Sequence, residues 1–103
     1  MFDCRAINNP GRLEQYQKLT GLDKSVQEFL EANSNIDKFL ANVYALVDNS
    51  IENYLSRNFH NLMVSFGCTG GQHRSVYSAE NLAKHVKEKF PDVNINLRHR
   101  EME

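Results

Sequence analysis

The stretch Val64-Ser65-Phe66-Gly67-Cys68-Thr69-Gly70-Gly71-Gln72-His73-Arg74-Ser75-Val76 restricts the fold of this chain more than any other. A short apolar run, Leu62 to Phe66, breaks into a loop with three glycines, and an amphipathic helix pattern begins right after it. Strand, loop and helix in that order predict an anion cradle. Glycines let backbone N–H groups turn inward and approach a ligand closely, because no Cβ intervenes. The first turn of the next helix adds unpaired N–H donors and the positive end of its dipole. His73 and Arg74 fall at that helix start, while Thr69 and Ser75 supply hydroxyls. A turn that only permits tight packing is the competing reading, since a bare glycine pattern is weak. The polar residues around the glycines favour the anion site. No Gly-Lys-Ser/Thr follows, so the loop is not a Walker A motif, and it is not a dinucleotide fingerprint either.

At 103 residues, with 41% hydrophobic and 24% charged residues, the chain reads as one soluble globular domain with a single modest core. The net charge of −1 gives no global electrostatic case for nucleic acid or an anionic membrane. No apolar segment approaches the ~20 residues that span a bilayer, and no signal-peptide pattern opens the chain. Two cysteines, Cys4 and Cys68, do not make a disulfide framework. These features predict a cytoplasmic, reduced protein, in which a Cys4–Cys68 disulfide is disfavoured. No Cys/His pair has metal-ligand spacing, so no metal or cofactor is expected.

In chain order, Met1 to Ile7 reads as a first strand, with Phe2, Cys4 and Ala6 on one face. Asn8-Asn9-Pro10-Gly11 is a loop. A strand starting at residue 2 would fray in a free-standing protein, which suggests a domain cut from a longer chain. Arg12 to Leu19 and Lys24 to Glu31 read as short helices, and Ser34 with Asp37 has the form of a capping box. A long helix is predicted from about Asn35 to Arg57, carrying Ile36, Phe39, Leu40, Val43, Leu46, Val47, Ile51, Tyr54 and Leu55 at 3–4 spacing. This stripe should cover the sheet, with part of it available for a homodimer contact. His60 reads as an exposed loop histidine without a role. The helix after the glycine loop runs from about Arg74 to Lys89, with His85 on its solvated side. Val93-Asn94-Ile95-Asn96-Leu97 alternates strictly and predicts a last strand.

The expected architecture is therefore α/β: a small, mostly parallel sheet of three to four strands with helices packed on it. Ligands bind beyond the carboxyl ends of such strands. That rule brings Arg5 with Asn8 and Asn9, then Thr69 to Ser75, then Arg98-His99-Arg100, to one edge.

These residues carry a resemblance. Asp3-Cys4-Arg5 followed by Asn9-Pro10, then Leu19-Thr20-Gly21-Leu22-Asp23, then Gly67-Cys68-Thr69-Gly70-Gly71-Gln72-His73-Arg74-Ser75-Val76, and finally Arg98-His99-Arg100, are similar to the C-terminal domain of the RapZ family of RNase adapters and nucleotide-binding proteins. The likeness runs from end to end of the chain, without the family's P-loop kinase-like N-terminal half. It implies a regulatory domain that senses an amino-sugar phosphate, glucosamine-6-phosphate, and in some bacteria binds small RNAs and protein partners. On that resemblance Asp3, Arg5, Asn9, Thr69, Gly70, Gly71, His73 and Arg74 line the sugar-phosphate pocket. Cys68, Gln72 and Ser75 belong to the same loop, and Arg98, His99 and Arg100 to the same edge. The family carries His or another aromatic after Asn-Pro where this chain has Gly11-Arg12, which leaves the sugar open. RNA-binding members end in a run of Lys and Arg; this chain ends Glu101-Met102-Glu103, which disfavours RNA.

An enzyme reading competes. Cys68, five residues, Arg74 and Ser75 also have the Cys-x5-Arg-Ser spacing of cysteine-dependent phosphatases. Inward N–H groups would lower the thiol pKa, Arg74 would hold two phosphoryl oxygens, and Ser75 would support the departing thiolate. Asp3 is the one carboxylate this layout offers as general acid.

Overall fold

The computed structural model describes residues 1–58, 61–68 and 71–99. Thr69, Gly70, Arg100 and His60, named above, lie outside the described residues, as does the 101–103 tail. The fold is α/β. Strand β1 (Phe2–Asp3) pairs in parallel with β2 (Phe66–Gly67), Phe2 opposite Phe66 and Asp3 opposite Gly67. Helices α1 (Lys24–Asn33), α2 (Ile36–Ser56) and α3 (Arg74–Lys89) pack around this pair.

The sheet is smaller than its sequence pattern suggests: two strands among the described residues instead of three or four. The shortening of the first strand has a cause in hydrogen bonding. The first strand stops at Asp3, and after one more ladder bond, from Cys4 N to Gly67 O at 2.7 Å, the chain turns. Ile7 N donates to Cys4 O, and the Arg74 side chain takes the carbonyls of Cys4, Arg5 and Ile7 that a longer strand would have used in its ladder. Val93 to Leu97 forms no strand. Val93 packs against the Val43, Val47 and Ile51 cluster, and the stretch as a whole, asparagines included, lines a groove with Val47, Leu82 and Val86.

The expected helix over Arg12–Leu19 is two single 3-10 turns, Pro10–Arg12 and Glu14–Tyr16. Leu13, Tyr16 and Leu19 recur every three residues, the period of a 3-10 helix and not the 3.6 of an α-helix. Proline, lacking an N–H, opens the first turn, and the Asn9 side chain caps it through Gly11 N. The capping-box reading is also corrected. Asn35 is the N-cap of α2 and makes no side-chain cap bond, while Ser34 Oγ accepts from Ile36 N and donates to Leu30 O.

Helix α2 organises the core because its apolar residues fall on one face. Ile36 and Leu40 pack with Cys4, Ile7, Val26, Leu30 and Tyr77; Val43, Val47 and Ile51 pack with Leu82 and Val86. Each such side chain contributes about 1.5–3 kcal/mol on leaving water. Leu46 and Leu55 of the same stripe stay more than half exposed, so the core uses only part of it.

Candidate functional site

Parallel pairing sends the chain out of β1 and β2 at the same edge, so the two following loops are neighbours. At the rim of the first loop, Arg5 Nε donates to both Asp3 oxygens at 3.0 and 3.1 Å, and Nη2 to Oδ2 at 2.8 Å. Arg5 N adds a backbone bond to Asp3 Oδ1 at 2.9 Å. The Arg5 side chain, then its amide, then the charges of Arg5 and Arg74 hold the Asp3 carboxyl down at about 2. Both residues remain largely exposed, as a planar fork-to-carboxylate pair facing water.

Arg74 is placed differently from the sequence expectation of an open clamp. It is 3% exposed, and its Nη1 donates to Ile7 O at 2.8 Å, Arg5 O at 3.0 Å and Cys4 O at 3.3 Å. Its Nε is buried without a partner among the described residues. The first residue of α3 thus ties the helix to the loop after β1, and its charge meets carbonyl dipoles with no carboxylate bonded to it among the described residues. Buried guanidinium groups normally have a counter-ion, since their desolvation is costly.

Beside it stands Cys68. Its Sγ lies 3.3 Å from Ser75 Oγ and is approached by the amides of Ser75 and Gly71. Burial pushes this thiol up, but the Ser75 hydroxyl and amide, the Arg74 charge and the Gly71 amide outweigh it and leave it below the ordinary range. Gly71 is left-handed, with φ 61°, which lets the loop turn its N–H back toward the sulfur. No side chain caps α3, so the sulfur stands where a capping oxygen usually would.

The rest of the loop faces the 3-10 segment. Gln72 Nε2 donates to Leu19 O at 2.6 Å and Gln17 O at 2.7 Å, His73 Nε2 lies 2.7 Å from Tyr16 O, and Gly21 N donates to Gln72 O at 3.0 Å. A Cβ on Gly21 would meet His73 O at 2.4 Å and Tyr77 N at 2.5 Å, so only glycine fits there. Asn9 Oδ1 accepts from Gly11 N at 2.9 Å, and a Cβ on Gly11 would sit 3.4 Å from the His73 ring. Asn9 therefore reaches the site through the backbone of its own turn.

Of the sequence-predicted residues, Asp3, Arg5, Cys68, Gly71, Arg74 and Ser75 are brought together, with His73, Gln72 and Asn9 behind them. His99 instead bonds Glu80 Oε1 at 2.8 Å, six residues along α3 from Arg74, and Arg98 precedes it on an exposed segment. The sequence reading missed Gly21 and the carbonyls of Tyr16, Gln17 and Leu19. The dipeptide Thr20-Gly21 signalled a helix end, and the unfavourable contact behind that glycine has no local signature. His85, read as solvated, is half-buried. It stacks on Tyr44 with 4.2 Å between ring centroids and bonds Asp48 at 2.9 and 3.0 Å.

Among the described residues no cluster of three His, Cys, Asp or Glu side chains could hold a metal ion, and no helix is long and apolar enough to cross a membrane. Curated relatives extend over the whole chain. A nucleotide-binding protein of Shewanella halifaxensis is 39% identical over 102 residues, covering 99% of this chain and 35% of its own length. Relatives of the same name in Bacillus cytotoxicus and Methylobacillus flagellatus are each 37% identical over 103 residues, 34% and 36% of their respective lengths. The chain spans about a third of the length of the relatives it matches. A family model described as the RapZ C-terminal domain matches residues 1–103. With that match over its whole length, this chain belongs to the RapZ C-terminal domain family.

Proposed function

We propose that this domain is a ligand-sensing regulatory module that binds a phosphorylated amino sugar, such as glucosamine-6-phosphate, at the edge formed by Asp3, Arg5, Asn9 and the Cys68–Ser75 loop. The observation that carries the reading is the buried Arg74 guanidinium, which among the described residues donates to main-chain carbonyls and keeps an unpartnered Nε. A phosphate docked at the loop would supply the missing negative charge, with the exposed Arg5 as a second cation. The Asp3 carboxylate suits an ammonium group on the same ligand. Membership of the RapZ C-terminal family supports the same class of ligand.

Thermal unfolding with and without glucosamine-6-phosphate tests this, with inorganic phosphate and glucosamine as comparisons. A hundredfold excess over Kd stabilises by about 2.7 kcal/mol, which in a domain of this size raises Tm by roughly 10 °C. Arg74 also supports the fold, so Arg5→Ala is the informative variant. It should lower the unliganded Tm only slightly, as loss of an exposed ion pair does, and lose most of the shift. A wild type whose Tm is unmoved by the sugar phosphate overturns the reading.

The contact between Cys68 and Ser75 favours a second reading, a cysteine-dependent phosphatase in which Cys68 attacks phosphorus. Against it, the carboxyl of Asp3 is held by Arg5 and lowered to about 2, so it is a poor general acid for the leaving oxygen. Turnover of phosphomonoesters that vanishes in Cys68→Ser would establish this activity; a wild type inert across a broad panel disposes of it.

A further inference from the structure

The two cysteines are 64 positions apart in sequence and side by side in space. The register that sets Phe2 against Phe66 and Asp3 against Gly67 continues through the Cys4 N to Gly67 O bond, which places Cys4 opposite Cys68. Residues two apart on a strand share a face. Phe2 and Phe66 stack with 5.6 Å between ring centroids, and Cys4 and Cys68 repeat that juxtaposition one step further along, with Cys68 packed against the core cluster that contains Cys4. Both thiols look toward the first turns of α3, Cys68 at Ser75 and Cys4 at Ser78, 3.8 Å away. Both are free.

From this juxtaposition we infer that Cys4 and Cys68 form a redox-modifiable pair, in which Cys68 is oxidised by a hydroperoxide and Cys4 resolves it to an intramolecular disulfide.

The environments of the two thiols divide the roles. Cys68 is half-exposed, and the Ser75 hydroxyl, two amides and the Arg74 charge surround it with groups that favour a thiolate. Cys4 is fully buried, and burial pushes its thiol up to about 11, so it is a poor first target. In the first step the Cys68 thiolate attacks the distal oxygen of the hydroperoxide. The O–O bond breaks, an S–O bond forms, and the alkoxide or hydroxide leaves with a proton from solvent. Sulfur is oxidised to the sulfenic acid and the peroxide is reduced. In the second step Cys4 Sγ attacks the Cys68 sulfur, its proton passing to the departing hydroxyl, so the S–S bond forms as water leaves. Adjacent strands lie about 4.8 Å apart, within the 4.4–6.8 Å range of Cα separations that a disulfide spans. A bond tying neighbouring strands next to a half-exposed loop is readily reduced again, as in labile disulfides. The pairing does not depend on what the glycine loop binds.

The test is free-thiol titration and intact-mass measurement of the full chain after hydrogen peroxide, followed by peptide mapping and dithiothreitol. Two free thiols per chain should fall to none with a loss of two hydrogens in mass, the cross-linked peptides should join Cys4 to Cys68, and dithiothreitol should restore both thiols. Cys4→Ser and, as a packing control, Cys4→Ala should stop at a Cys68 sulfenic acid that dimedone traps. In urea the pairing is lost, and intramolecular cross-linking should slow by about tenfold or more, as expected when proximity is removed. Retention of both thiols in the folded wild type, or a bond formed only between chains, overturns the inference. So does a folded chain that cross-links no faster than the denatured one.

Discussion

Gly21 shows how a single missing atom fixes a neighbourhood. The Cβ of an alanine there would overlap two backbone atoms of the α3 start, His73 O and Tyr77 N, and neither can move independently of the helix. Gly21→Ala should therefore cost about 1–3 kcal/mol, the range for overpacking, read as a lower urea midpoint at unchanged m. Asp3 gives a prediction in pH. Its folded carboxyl is held at about 2 by Arg5, below its ordinary 3.8, so the stability it contributes is present above 3.8 and is lost as pH falls toward 2. Carboxyl chemical shifts followed by NMR should show a midpoint near 2, and Arg5→Ala should move it back up toward the ordinary value.

Between elements, the tie to watch is the one joining α2 to α3. Asp48, nearly buried on α2, accepts from Lys89 Nζ at 3.0 Å and bonds the His85 ring, which lies flat on Tyr44. Burial pushes the Asp48 carboxyl up, but the bonds from His85 and Lys89 outweigh this and leave it below the usual range. Its contribution is thus complete above the ordinary carboxylate pKa and disappears as pH drops through the lowered value. Asp48→Ala should cost about 1–3 kcal/mol at neutral pH, the loss expected for a buried hydrogen-bonding group, and much less in acid; chemical denaturation at both pH values checks it. All three α-helices were legible to within about two residues, because apolar spacing and burial agree along them. The strands were not. Alternation in Val93–Leu97 does not supply the ladder partner that makes a strand, which is a long-range fact, and Ile95 and Leu97 stay exposed. In Met1–Ile7 the carbonyls went to a guanidinium 67–70 residues away, a competition no window of sequence contains. That the chain leaves β1 and β2 at one edge was readable, and the inward turn of Arg74 was not.

Across the whole molecule the charges nearly cancel, 12 Lys and Arg against 13 Asp and Glu. Nucleic-acid affinity grows with the number of phosphates neutralised, so RNA should bind this domain only weakly and only at low salt. Filter binding between low and physiological salt checks this, and we expect no retention at the higher concentration. The same balance leaves recognition to local groups. One local arrangement has a mechanical consequence. Gln72 and His73 hold residues 16, 17 and 19 by their carbonyls, and Gly21 holds Gln72 in return. Gln72 and His73 therefore cannot shift alone: whatever displaces them drags the short coils ahead of α1 along with them.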